Sequence, residues 1–194
     1  MMNIEITTFI LSLAGALAWT PFIVSLFKKA TLKGRIIGLT VSPDFAYTVK
    51  NHFTNTNEVI NGIGYFPKFS FISLNKSFNI NKVDVSVKYP GEGELRKGII
   101  FYSPKTKISF EGEGSTKFLN IPVEEHISSL LVLEQNKPIP VFVPFGISRP
   151  SYEHFEYIQL KFIDFDGLER IIEFHKKDID VKNIVFEEKY WSTR

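Results

Sequence analysis

Hydrophobic residues along this chain follow two patterns, first a solid block and then alternation. The block runs from Ile6 to Phe27 as ITTFILSLAGALAWTPFIVSLF, 22 residues without a charge, with Glu5 before it and Lys28 and Lys29 after it. As a helix rising about 1.5 Å per residue it reaches about 33 Å, enough to cross a hydrocarbon core of about 30 Å. The hydroxyls of Thr7, Thr8, Ser12, Thr20 and Ser25 can bond back to carbonyls of the same helix, and a membrane helix tolerates Pro21. The block therefore predicts a transmembrane anchor over residues 1–29. A cleaved signal peptide is the competing reading, since Ala14, Ala16 and Ala18 imitate a cleavage site, but it requires basic residues ahead of the apolar run and Met1–Glu5 has none. A buried core helix would be shorter and bounded by caps. Ser12 with Ala16, and Ala14 with Ala18, are small pairs four residues apart, a spacing that lets two such helices pack closely into a homo-oligomer.

Beyond the block the period changes to two. Lys82–Tyr89 (KVDVSVKY) sets Val83, Val85, Val87 and Tyr89 on one side and polar residues on the other, which is a strand with one buried face. Further strands are expected over Gly34–Val41, stopped by Ser42-Pro43-Asp44, and over Gly64–Leu74, Lys97–Tyr102 and Lys107–Glu111. Ser129–Glu134 and Ile139–Phe145 flank Gln135-Asn136-Lys137-Pro138 as a predicted hairpin, and Phe155–Phe165 and Leu168–His175 flank Asp166-Gly167 as a second. Pro122–Ser129 reads as a short helix or loop, and Val181–Phe186 as a last strand. Eight to ten such strands predict an all-β domain, an antiparallel β-sandwich of immunoglobulin-like or fibronectin-like topology, over residues 37–194. Its core is expected to hold Val83, Val85, Val87, Phe101, Val141, Val143, Ile158, Leu160, Phe162, Ile172 and Phe174.

Charge adds orientation. Lys28, Lys29, Lys33 and Arg35 crowd the C-terminal flank of the block, and nothing basic precedes it. Positive flanks stay cytoplasmic, so the N-terminus is expected outside and the β domain in the cytoplasm. Residues 30–36 form a short juxtamembrane basic segment, and the four cations are expected to meet the anionic membrane surface. The alternative is an extracytoplasmic domain on the same anchor, binding envelope components.

Composition mostly excludes. The chain of 194 residues has 19 Phe, 7 Tyr and no Cys. So many aromatics exclude a disordered chain, and the absent cysteines exclude a disulfide scaffold, a thiol nucleophile and a cysteine-ligated zinc. A formal net charge of +2, with signs interspersed, gives no electrostatic footprint for nucleic acid. His52, His126, His154 and His175 lack metal-ligand spacing, Gly146-Ile147-Ser148-Arg149-Pro150 lacks the second glycine of a nucleophile elbow, and no phosphate-binding glycine loop is present. Asp164-Phe165-Asp166-Gly167 opens like a calcium loop, but Glu169 does not fall at the closing position. Glu92, Glu94, Glu111 and Glu113 sit in two Gly-Glu turns, expected to be solvated loops; meeting in space they would offer a cation site or a basic-partner contact, and carboxylates assembled from loops are the enzyme alternative.

Lys137–Phe145 is unusual for a strand because it alternates and yet carries three prolines. Proline cannot donate to a ladder, so the segment is expected at a sheet edge, blunted against aggregation or docking a partner through Pro138, Pro140, Phe142 and Pro144. Taken together, the sequence predicts a single-pass membrane-anchored adaptor, non-enzymatic and without a cofactor, that holds a protein partner beside the lipid.

Overall fold

The computed structural model describes residues 28–51, 56–102, 107–112, 115–148, 154–179 and 190–193. The predicted anchor over residues 6–27, with its small-residue pairs, and the predicted last strand over 181–186 lie outside the described residues. Among the described residues the fold is all-β. Its strands are β1 (Thr31–Asn51), β2 (Thr56–Leu74), β3 (Phe78–Asn79), β4 (Lys82–Lys88), β5 (Arg96–Ile100), β6 (Lys107–Gly112), β7 (Ser115–Asn120), β8 (Val132–Leu133), β9 (Ile139–Phe142), β10 (Phe145–Ser148), β11 (Tyr157–Ile163), β12 (Glu169–His175) and β13 (Trp191–Thr193).

Eight of them make one antiparallel sheet in the order β1-β2-β10-β5-β4-β11-β12, with β9 also paired to β2. The sheet curls until β12 returns beside β1. Arg170 Nε on β12 donates to Ala30 O at 2.8 Å, and the Phe174 ring lies 3.1 Å from where a Cβ on Gly34 would stand. The result is a nearly closed, barrel-like wall, and the expected two-sheet sandwich is not confirmed. Period-two alternation reports only that a sheet has one buried face; a single curled sheet produces it as readily as two stacked ones.

The wall encloses the main core. β4 alternates as expected, with Val83, Val85 and Val87 buried, and Ile158, Leu160 and Phe162 of β11 face the same interior. Phe69 stacks on Phe71 (centroids 5.3 Å apart), and Phe71 meets Phe162 edge to face at 5.1 Å. Of the residues expected in the core, Phe101 and Ile172 are partly buried and the other nine are buried. Neighbours in sequence point to opposite faces of a strand, so Phe66 of β2 and Phe142 of β9 leave the main core. They form a second one with Leu119, Ile121 and Tyr190, under the three-stranded sheet β13-β7-β6.

Two local expectations are corrected. Ser42-Pro43-Asp44 does not end its strand. β1 continues through it by a bulge, with Ser42 opposite Gly64 and Phe45 opposite Gly62; a bulge leaves an unpaired position where proline's missing N–H costs no ladder bond. Nor do Ser129–Glu134 and Ile139–Phe145 pair with each other. Residues 127–129 form a 3-10 turn, β8 pairs with β3, and β9 pairs with β2. The Asp166-Gly167 hairpin does form. β11 and β12 pair from Tyr157↔His175 to Ile163↔Glu169, and Gly167 takes φ +78°.

Candidate functional site

The proline-rich segment supplies β9, which pairs with β2, and ends where β10 begins at Phe145. β9 and β10 share one register along β2, from Ile139↔Phe71 to Ser148↔Gly62, and β10 lies between β2 and β5. Val143 N donates to Pro67 O at 3.1 Å. Backbone groups alternate sides along a strand, so the odd-numbered residues here face β2 and the even-numbered ones face away. Pro140 and Pro144 therefore put their missing donors on the far side, and the ladder with β2 loses nothing. β9 has β2 as its one strand neighbour among the described residues, so the expected edge position holds for Pro140, and the parity explains why the ladder with β2 stays intact. On its far side β9 has one parallel bridge, His126↔Phe142, among the described residues. Of the four candidate contact residues, Pro138 and Pro140 are exposed, whereas Phe142 and Pro144 are buried.

Beside Phe142 lies a buried polar cluster that the sequence does not announce. Lys68 of β2, 7 % exposed, places Nζ 2.6 Å from Glu125 Oε2 and donates to the Tyr190 hydroxyl, which in turn donates to Glu125 Oε2 at 2.9 Å. Its ammonium also stands over the Tyr190 ring, 4.5 Å from the centroid. Burial pushes the Lys68 pKa down, but the hydrogen bonds and charges of Glu125 and Tyr190 outweigh it, and the net shift is upward. Every polar group in this triangle is matched, and the triangle ties Glu125 and Tyr190 to the outer face of β2. Its observed work is structural.

His126, next in sequence, is 1 % exposed. Its Nδ1 accepts from Ser128 N at 3.1 Å, which leaves the proton on Nε2; that buried atom has no hydrogen-bond partner among the described residues. Burial holds the ring's pKa below its usual 6.5.

The other concentration of chemistry is at one end of the barrel. Three segments meet there: Lys28–Ala30 leading into β1, the turn after β2 at Lys76–Ser77, and the β11–β12 hairpin tip. Together they line a cleft of about 370 Å³. Two pairings bring them together, Thr31 with Leu74 at the start of the β1–β2 ladder and Arg170 with Ala30. The hairpin tip is shaped by Asp164, whose Oδ1 accepts from Asp166 N at 2.9 Å and from Leu168 N at 2.7 Å. That is turn chemistry, and it engages one oxygen of the carboxylate in the segment that opens like a calcium loop. Phe165, at the tip, is 72 % exposed.

The four candidate membrane-surface residues separate. Lys28 and Lys29 line the cleft, while Lys33 and Arg35 alternate outward along the β1 wall. At about 3.3 Å per residue Arg35 lies roughly 17 Å beyond Ala30. Lys76 joins Lys28 and Lys29 in their place. Nothing in its neighbourhood marks it, because its position is set by the β1–β2 register. Of the Gly-Glu turns, Glu92 pairs with Arg96 at 2.9 Å, and Glu113 lies outside the described residues.

Comparison with known proteins adds no kinship: no family model, no curated protein and no solved structure matches this chain.

Proposed function

We infer that this chain is a single-pass membrane protein whose apolar segment, residues 6–27, anchors a cytoplasmic β domain that holds a protein partner beside the bilayer. One observation carries the reading: the 22-residue uncharged run ends at Lys28 and Lys29, which stand at the rim of the barrel with no intervening linker. A domain tethered so closely works by localisation, since an anchor raises the effective concentration of whatever the domain binds. The exposed rings of Pro138 and Pro140 are the partner contact this reading retains. The donors missing on the far side of β9 disfavour an added strand there, so docking would run through side chains.

The topology has a direct test. Alkaline phosphatase and a cytoplasmic reporter, each fused after Arg194, should give cytoplasmic signal only. Phosphatase activity would instead favour the extracytoplasmic alternative. Capture of the tagged full chain from mildly solubilised membranes should bring a stoichiometric partner, and Pro138→Ser with Pro140→Ser should weaken its recovery. Recovery of the chain alone under those conditions counts against the adaptor reading.

A further inference from the structure

We propose that the cleft at the anchor end of the barrel seats the phosphate of an anionic lipid headgroup, with Phe165 resting in the membrane interface beside it. The proposal rests on reading residues 6–27 as a membrane span, and it adds a second contact with the same bilayer.

The first support is place. Lys28 and Lys29 immediately follow the apolar run and line the cleft, so the cleft stands within a few residues' reach of the headgroup layer, at about 3.5 Å per residue. The second is charge. Lys28, Lys29 and Lys76 converge there from two distant parts of the chain, and none of the three is ion-paired among the described residues. The lining also holds Asp164 and Asp166, but the Asp164 carboxylate is engaged by the backbone N–H groups of its own turn. Three ammonium groups against two carboxylates leave the cleft cationic. The third is the exposed ring of Phe165 on the same rim. An exposed apolar side chain on a rim shared with three lysines suits the bilayer interface, where the ring enters the acyl boundary while the ammonium groups meet phosphate.

The chain has no cysteine, so an environment-sensitive fluorophore attached through F165C labels a single position. The labelled full chain is placed in nanodiscs of phosphatidylcholine alone or of equal parts phosphatidylcholine and phosphatidylglycerol. Blue-shifted emission and protection from acrylamide in the anionic discs only are expected. Lys76→Gln, which leaves the anchor and its positive flank intact, should weaken that association about fivefold. Equal exposure of the label in both discs overturns the seat while leaving the span standing. Protection reproduced by inorganic phosphate in neutral discs also overturns it, because the site would then take free phosphate. A chain that fails to enter either disc refutes the span, and the seat with it.

Discussion

Lys68 is a cation with almost no access to water, and it persists because Glu125 and Tyr190 are fixed around it. Removing one partner of such a pair leaves a buried charge uncompensated, so Glu125→Gln should destabilise the fold by about 3 kcal/mol in urea titrations. Tyr190→Phe, which deletes only hydrogen bonds, should cost about 1 kcal/mol. The sign of the pH dependence follows from the upward shift of Lys68. Its contribution is complete below the unfolded value near 10.5 and is lost as pH rises through the higher folded value. His126 works in the opposite sense. With its folded pKa held below 6.5, stability is flat above that pH and falls as pH drops through the interval beneath it, where the unfolded chain takes up the proton first. His126→Phe should flatten that acid limb in urea midpoints measured across pH. A limb unchanged by the substitution would place the titrating group elsewhere.

At the scale of elements, β2 is the organising strand, since β1, β9 and β10 all pair with it. The approach of β10 requires glycine: a Cβ on Gly62 would stand 2.0 Å from Ile147 O. Gly62→Ala should therefore cost about 3 kcal/mol or prise β10 away, which amide exchange at Phe145 and Ile147 would report. The β11–β12 hairpin depends on Asp164; Asp164→Ala should lower stability by about 1 kcal/mol, equally with calcium or chelator present. These elements also show what the sequence could reveal. The alternation of β4 and β11 and the Asp166-Gly167 turn are local signals, and the structure keeps them. Whether the strands close into one sheet or split into two depends on which strand returns beside β1, and the Arg170–Ala30 bond spans 140 positions. The prolines correctly signalled the edge strand β9, but which side their nitrogens face is set by the Val143–Pro67 bond, which the sequence does not show. The basic cleft was half visible, through Lys28 and Lys29. Lys76 and Phe165 reach it only through strand register and a hairpin tip.

For the molecule as a whole, a barrel-like wall with its own core follows directly behind an apolar run long enough to span a bilayer. The barrel end nearest that run carries Lys28, Lys29 and Lys76, none ion-paired among the described residues, and the exposed Phe165, and Lys33 and Arg35 lead away from it along the wall. If the run is a span, that end faces lipid and the remaining surface is left to a partner. The distal hairpin, Phe45–Asn51 with Thr56–Gly62, extends beyond the first contacts with β10, so it adds reach away from the main core. The account as a whole depends on residues 6–27 residing in the bilayer. Alkaline carbonate extraction of membranes containing the full chain tests that most directly. The account predicts that the chain remains in the membrane pellet as an integral protein, and its quantitative release into the supernatant would contradict it.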